Sequence, residues 1–459
     1  MSILATSATV AFSGARGGEA PLSWGQRHMW RALPRHGSGR YFLNCPWILP
    51  VYGKRDLRTV LDALRLLIER HESLRTTFVD TPAGPVQRVA ARGELVVGLE
   101  DAGTDVPLEW AQRLVDEMST VIFMPEEWQL HCRLVTSGGR PAALAFVFSH
   151  LVVDHEALGL ISADWRRLLR GDDLPPATWH PMDQAGLEAT DPYMARSARS
   201  VQYWRSVLEE MPLDQFDRPP VEPEDPRYVE VAMESVALTA AVHQLAQRWE
   251  GTTSSVLLAA CATVLATVSG RTNVVMSLVH SNRRDPRTRT MVGAAGQDSL
   301  FVLDMRDASF AGTCRAAYRG ALDAYRYTQY NPFAMWDMRE AIERLRGGRP
   351  DLDAFVNDRL GPDGFPDVPP SEAATDVAQL TRKTRIHAGN TWPEIRVTVM
   401  FTVGTANGVG KLSLIVDTAY LSRDTATSML LGAEALLVRS VSEDIRFADV
   451  ARVCGVTAS

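Results

Sequence analysis

The sequence predicts a mixed α/β protein made of two halves, and three observations predict it. Apolar runs and alternations of strand type interleave with helical stripes along nearly the whole chain. Two proline-rich acidic stretches, residues 172–176 and 218–226, interrupt that pattern near its middle. The length, 459 residues, exceeds what one ordinary core organises, so two to three domains are expected. The expected division runs 1–178 and 179–459.

Small apolar residues near the start suit a first strand after a loose end. Ser23 can cap a helix that carries the large rings of Trp24 and Trp30. Residues 41–51 are rich in strand formers but broken by Pro46. From Asp56, the side chains Leu57, Val60, Leu61, Leu64, Leu67 and Ile68 fall on one helical face. Charge and hydroxyls interrupt that stripe at Arg70, His71, Glu72, Ser73, Leu74 and Arg75, and a strand is expected toward Phe78. Short strands at 85–89 and 94–99 and a helix at 109–120 follow. Leu130, Cys132 and Leu134 then alternate with His131 and Arg133 as in a half-buried strand.

Residues 142–149 form an unbroken apolar run closed by Ser149, which reads as a strand buried on both faces. After Asp154, Leu158, Ile161, Trp165, Leu168 and Leu169 recur at helical spacing. His150 therefore stands at the end of a buried strand, four residues before an aspartate at the mouth of a helix.

A helix ending near Gln202, Tyr203 and Trp204 lies between the two proline-rich stretches. Beyond them, Ser235 or Thr239 starts a helix through Val242, Leu245 and Trp249, and 252–268 suits a buried helix. A strand at 273–280 leads into a basic loop with Arg283, Arg284, Arg287 and Arg289. A strand at 298–304, helices at 308–325 and 332–345, and a mobile surface loop at 361–372 are expected next. Strands at 394–403 and 411–417 flank a Gly/Asn turn, and a helix over 424–441 closes the pattern.

Composition removes several classes of function. A net charge of −7 leaves no broad basic surface for a phosphate backbone, so no nucleic-acid partner is expected. Five scattered cysteines without a C-x-x-C pair point to a reduced, cytoplasmic protein with no metal site. The longest apolar stretch, 256–268, is too short to span a bilayer, and the first residues lack the positive leader of a signal peptide, so no membrane partner is expected. No phosphate loop ending in Gly-Lys-Ser/Thr, no H-E-x-x-H and no G-x-S-x-G elbow is present.

The His150/Asp154 pair is the candidate for chemistry. With ten histidines in the chain, about one H-x-x-x-D is expected by chance, and only this one occurs. The spacing alone favours a core histidine and an aspartate that merely caps its helix.

The order of motifs goes further. Ser149 to His155 resembles the H-H-x-x-x-D-G motif of the condensation domains of nonribosomal peptide synthetases. Residues 23–30, with Trp24, are similar to that family's opening S-x-x-Q-x-R-x-W-type motif, and Arg70 to Phe78 is close to its R-H-E-x-L-R-T-x-F motif. Tyr203-Trp204, the run from Gly270 to Arg284, and Val292-Gly293 through Asp298-Ser299-Leu300 are similar to later family motifs, in the right order.

The resemblance implies two chloramphenicol acetyltransferase-like subdomains in a V-shaped pseudo-dimer with a central tunnel. A donor acyl group enters on the phosphopantetheine arm of an acyl or peptidyl carrier protein, with no bound cofactor, and meets an amine or alcohol acceptor. His150 matches the catalytic histidine. Asp154 matches an aspartate that pairs with Arg75 in a structural role, and Ser149 stands at the supporting position. Trp24, His155, Asp298, Ser299 and Thr402 are implied tunnel residues. Ser149 and His155 depart from the family's His and Gly, and Asp298 from its Asn.

A neutral imidazole, with a reference pKa of about 6.5, suits proton acceptance from an attacking nucleophile. It equally suits holding a tetrahedral oxyanion. The expected function is a free-standing condensation enzyme forming an amide or ester. An acyl-CoA-dependent acyltransferase of the same superfamily and a catalytically silent docking module that recruits a tailoring enzyme are the other two readings.

Overall fold

The computed structural model describes residues 6–306, 308–360, 364–369, 371–372 and 375–455. In chain order its first elements are β1 (Thr6–Ser13), β2 (Gly18–Pro21), α1 (Trp24–Ala32), β3 (Asn44–Pro50), α2 (Leu57–Arg70), β4 (Thr76–Val79), β5 (Val86–Val89) and β6 (Arg92–Asp101). Then come α3 (Pro107–Met118), β7 (Leu130–Ser137), β8 (Arg140–Ser149), α4 (His155–Arg170), α5 (Pro181–Glu188) and α6 (Asp191–Glu210). The later elements are β9 (Tyr228–Ser235), α7 (Val236–Arg248), α8 (Thr253–Ser269), β10 (Asn273–His280), α9 (Pro286–Arg289), β11 (Gln297–Asp304), α10 (Phe310–Arg326) and α11 (Pro332–Arg346). The last are β12 (Ala354–Asp358), α12 (Val377–Leu380), β13 (Arg385–Trp392), β14 (Val399–Ala406), β15 (Val409–Asp417), α13 (Arg423–Ser440) and α14 (Phe447–Cys454).

These elements form two compact units. The first comprises residues 1–195 together with 281–297, and the second comprises 196–280 and 298–459. The division read from the proline-rich stretch, at 178, differs from this one in two ways. Helix α5 packs on β2 and stays with the first unit. The 281–297 loop, late in the sequence, also belongs there, for reasons the candidate site makes plain.

The first unit holds a five-stranded sheet of order β1-β6-β7-β8-β3, and a three-stranded sheet, β2-β5-β4. Strand β8 lies between β7 and β3, antiparallel to both. Its alternate side chains enter two different cores. Leu144, Phe146 and Phe148 join the core of α2 and α4, and Ala143, Ala145 and Val147 that of α3. Burial on both faces is what an unbroken apolar run demands. Helix α2 starts at Asp56, whose carboxylate accepts from the Thr59 N–H, and buries Val60, Ala63, Leu64, Leu67 and Ile68 as the stripe requires.

Pro46 does not break the strand expected at 41–51. It sits in β3, an edge strand paired only with β8, where a missing N–H is tolerated. The preceding residues Leu33–Leu43 are instead a kinked 3₁₀ segment.

The second unit is built on a seven-stranded sheet, β11-β10-β12-β14-β15-β9-β13. The pairs β10/β12 and β12/β14 are parallel, and the rest of the described pairings antiparallel. Helix α8 is apolar all round and buried over nearly its whole length, as its composition dictates. No single helix among the described residues is long and apolar enough to cross a membrane.

Strands β2, β9, β12 and β13 are absent from the sequence reading. β9 follows directly on the proline-rich stretch and carries Glu230 and Glu234 among its valines, and β13 is a polar edge strand. Of the loop expected at 361–372, residues 361–363 and 370 lie outside the described residues. Phe365 within it is buried, its ring against Gly410. That ring holds the segment to the core rather than leaving it a free surface loop.

Candidate active site

Strand β8 ends at Ser149, and the chain turns through 150–153 before α4 begins. Ser149 is buried, and its hydroxyl accepts from the Leu151 N–H at 3.3 Å while its carbonyl accepts from the Val152 N–H at 3.1 Å. Its own N–H donates to the Gln129 carbonyl at 2.9 Å. The hydroxyl is thus engaged in forming the turn, a local habit of serine. His150, the next residue, is half-buried within that turn, while Leu151, Val152 and Val153 bury their side chains in the core.

Asp154 closes the turn. It is the N-cap of α4, with Oδ1 accepting from the Ala157 N–H at 2.9 Å. The same oxygen accepts from Arg283 Nη2 at 2.7 Å, and Oδ2 accepts from the Ala295 N–H at 3.0 Å. Capping and ion pairing are both present, so the reading of this aspartate as merely a helix cap is not the whole account. Such a set of donors satisfies the hydrogen-bonding capacity of a buried carboxyl group.

The cation is Arg283 and not Arg75, which corrects the pairing that the family resemblance implied. Arg75 is buried elsewhere in the unit. Its Nη1 donates to the carbonyls of Arg16 at 2.7 Å and Ala90 at 2.6 Å, tying the β1–β2 connection to the end of β5. Desolvation lowers its pKa from the ordinary arginine value, with the nearby Glu72 carboxylate opposing.

The rest of the 70–75 motif is scaffold too. Arg70 and His71 both bond Asp164 of α4, at 2.8 and 2.9 Å, with burial holding the His71 pKa below its ordinary value. Glu72 meets Arg16, which also grips Asp183 of α5.

Arg283 reaches Asp154 from the 281–297 loop. Beyond the carboxylate, its guanidinium donates to the carbonyls of Thr288 and Met291, each at 2.6 Å, and of Gly293 at 2.9 Å. Arg283 thus stands apart from the rest of the basic loop, since its side chain is buried and directed inward. Arg284, Arg287 and Arg289 remain exposed. Arg287 forms a two-pronged contact with Asp285 and lies over the Trp179 ring at 4.7 Å.

Three close approaches seat this loop in the unit. The Ser73 hydroxyl donates to the Val292 carbonyl at 2.9 Å. Gly293 lies against Pro181 of α5, where an added Cβ would stand 2.8 Å from the ring. Gly25 of α1 lies so near the Ala294 carbonyl that a Cβ would come within 2.2 Å of its oxygen. Gly25→Ala is expected to lower stability by about 1–3 kcal/mol through overpacking, seen as a fall in Tm, because the neighbour is backbone and cannot rotate away.

The other expected site residues are distributed over the two units. In the first, Trp24 is buried, edge-on to Tyr193 at 6.0 Å, and donates its backbone N–H to Glu188 Oε2 at 2.6 Å. His155 is exposed on the first turn of α4, edge-on to Trp47 at 6.5 Å. The Trp47 indole in turn donates to the Ser162 hydroxyl. In the second, Asp298 is half-buried in β11 and its carbonyl accepts from the Tyr330 hydroxyl at 3.1 Å. Ser299 is fully buried, with its hydroxyl donated to the Leu278 carbonyl at 3.2 Å. Thr402 is half-buried in β14, in register with Asn357 and Ser413.

The structure therefore brings His150, Asp154, Ser149 and His155 together in one turn and places Arg75 apart from them. A hollow of about 710 Å³ over β4 and β5, lined by Glu19, Thr77, Arg88, Glu126 and Trp128, contains none of them. Sequence reasoning missed Ser73 and the Ala295 N–H, and misassigned Arg283. Its one usable signal was that Asn282-Arg283-Arg284 had already matched a family run.

Comparison with known proteins gives the family. The family model described as "Condensation domain" matches residues 17–331. Surfactin synthase subunit 2 of Bacillus subtilis (strain 168) is 26% identical over 321 residues, 68% of this chain and 9% of that protein. Chondramide synthase cmdD of Chondromyces crocatus is 28% identical over 290 residues, 60% of this chain and 7% of that protein. The chain thus spans less than a tenth of the length of either relative.

Among solved structures, the condensation domain from the Monacolin K polyketide synthase MokA gives a TM-score of 0.72 at 14% identity, covering 94% of this chain and 99% of that one. The SgcC5 protein from Streptomyces globisporus gives 0.69 at 17% identity, with 92% and 99% covered. The X-domain from teicoplanin biosynthesis gives 0.69 at 17%, with 95% and 98% covered. The fold is the α/β fold of these condensation domains, and the family match covers well over half of the residues. The chain belongs to the condensation-domain family.

Proposed function

We propose that the chain is a condensation enzyme that joins an acyl or aminoacyl thioester, carried on the phosphopantetheine arm of a carrier protein, to an amine or alcohol. The observation that carries this reading is the His150 turn. A half-buried imidazole stands at the exit of a strand buried on both faces, and the residues after it are fixed by a carboxylate with three donors. A backbone turn fixed at both ends presents its side chain with little further loss of chain entropy when a reacting group is engaged.

In this reading neutral His150 accepts the proton of the nucleophile as its N or O attacks the thioester carbonyl. The C–S bond breaks as the tetrahedral intermediate collapses, and the proton passes to the departing thiolate sulfur. For an amine that arrives already neutral, the same ring serves to orient the nucleophile or to hold the oxyanion. His155, on the first turn of the helix that follows, adds a titratable ring where the family has glycine.

The test is intact-mass analysis of a loaded carrier protein incubated with the enzyme and candidate nucleophiles, beside the same acyl group on CoA. Loss of the acyl mass from the carrier with appearance of the amide or ester is the expected result. Turnover of acyl-CoA alone would assign the chain to the acyltransferase reading. The docking-module reading draws on Ser149 and His155, which depart from the family motif, and on the likeness to the X-domain. Turnover on neither donor, with a stable complex to a tailoring enzyme, would establish it instead.

A further inference from the structure

Glu188 is a buried carboxyl that the chemistry above does not use. It ends α5, where its own helix dipole disfavours a negative charge, and it faces the start of α1, where that dipole favours one. Oε2 accepts from the Trp24 N–H at 2.6 Å, the first backbone donor of α1, and Oε1 accepts from Gln184 Nε2 at 2.8 Å. Gln184 Oε1 accepts in turn from the Trp179 indole at 3.0 Å.

Both arms of this small network lead to the 281–297 loop. One runs through Trp24 to its neighbour Gly25, which bears on the Ala294 carbonyl. The other runs through Gln184 and Trp179 to Arg287, stacked on the indole. Between them Pro181, at the other end of α5, bears on Gly293. Gly293 and Ala295 both touch the Asp154–Arg283 pair, the first through its carbonyl to Arg283 and the second through its N–H to Asp154. Each contact on the path is a direct one, and every residue on it lies in the first unit.

We propose that Glu188 is a positioning residue for the His150 turn, its carboxyl acting on Asp154 through α1 and the 281–297 loop. The inference rests on the reading of His150 as the reacting group, but its geometry and its test need no substrate. The charges around the carboxyl are few. Arg27 on α1 acts on it directly, while Glu19 of β2 is engaged with Arg88, Asp183 of α5 with Arg16, and Arg287 with Asp285. His180, before α5, interacts chiefly with Glu72.

Burial, opposed by the donors from Gln184 and Trp24 and by Arg27, raises the Glu188 pKa to about 7. The folded protein therefore holds a proton that the unfolded chain, with an ordinary value of 4.5, releases. The resulting stability is fully present below about pH 4.5 and is lost as pH rises to about 7, staying flat above it.

The experiment is a pH titration of the His150 ring by NMR in 13C-histidine-labelled protein, assigned with His150→Ala, in wild type and in Glu188→Gln. Tm is recorded over the same range. Glu188→Gln keeps an acceptor for the Trp24 N–H and cannot ionise. In wild type the His150 resonances are expected to show a second inflection near pH 7, and Tm a fall that ends there. Both are expected to vanish in Glu188→Gln, and Arg27→Gln is expected to move them to higher pH.

Loss of the Tm step with an unchanged His150 titration would overturn the proposal, leaving Glu188 a purely structural group. A wild-type Tm profile with no step would overturn it as well. His150→Ala that retains turnover would remove the catalytic reading of His150 while leaving the coupling measured here intact.

Discussion

His150→Ala is expected to lower kcat/KM for condensation by about a hundred- to ten-thousand-fold, the usual worth of a positioned proton acceptor. The fold is expected to survive, because the turn is shaped by other groups. Ser149 shapes it through its hydroxyl and carbonyl, Leu151, Val152 and Val153 anchor it in the core, and Asp154 fixes its far end. Initial rates on a loaded carrier, with Tm measured on the same sample, check both halves of the prediction. A variant with near-normal rate would dispose of the proton-acceptor role. His150→Gln separates the roles further, since an amide can still donate to an oxyanion or orient a nucleophile but cannot take its proton.

The largest effect on stability is expected at Arg283. Removing one partner of a buried ion pair leaves the other charge uncompensated, at a cost of about 3–5 kcal/mol. Arg283→Ala strips Asp154 of its cation and also leaves the carbonyls of Thr288, Met291 and Gly293 without their donor. Arg283→Lys is expected to rescue little, because a single ammonium does not reproduce the planar fork that reaches these acceptors.

Asp154→Asn, which removes the charge but keeps an acceptor for the Ala157 N–H, is expected to cost less than Asp154→Ala. A double-mutant cycle between positions 154 and 283 is expected to show a coupling of at least about 1 kcal/mol, whereas one between 154 and 75 is expected to be additive. Chemical denaturation checks each. Coupling of 154 to 75 instead would restore the partner that motif order had suggested.

Those two residues also show what the sequence could and could not carry. The strand–turn–helix that holds His150 was legible, because an apolar run buried on both faces and a helical stripe after an aspartate are local patterns. The capping role of Asp154 was legible for the same reason. Its ion-pair partner was not, because the pair joins residues 129 positions apart and nothing local distinguishes one arginine from another. Arg283, Arg284, Arg287 and Arg289 read alike as a basic loop, yet the first is buried and the others are exposed. Burial is a property of the packed loop, set by Ser73, Pro181 and Gly25 from three distant segments.

At the level of secondary structure, two of the strands lost were short or placed at an edge, β12 and β13, where alternation is weakest, while β9 was hidden by the proline-rich stretch it follows. Helices with a clean stripe, α2 and α4, were found with nearly the right bounds.

The late origin of the 281–297 loop has a consequence for how the molecule is made. During synthesis the ribosome delivers the His150 segment well before Arg283, so for well over a hundred residues of elongation the aspartate has no cation to meet. Because chain closure over such a distance is slow compared with local helix formation, the sheets and helices of the first unit are expected to assemble first around an unfinished His150 turn. A nascent fragment halted after Ala195 should bind hydrophobic dyes and be cut readily by protease near residues 150–154, and supplying 281–297 as a separate peptide should protect it.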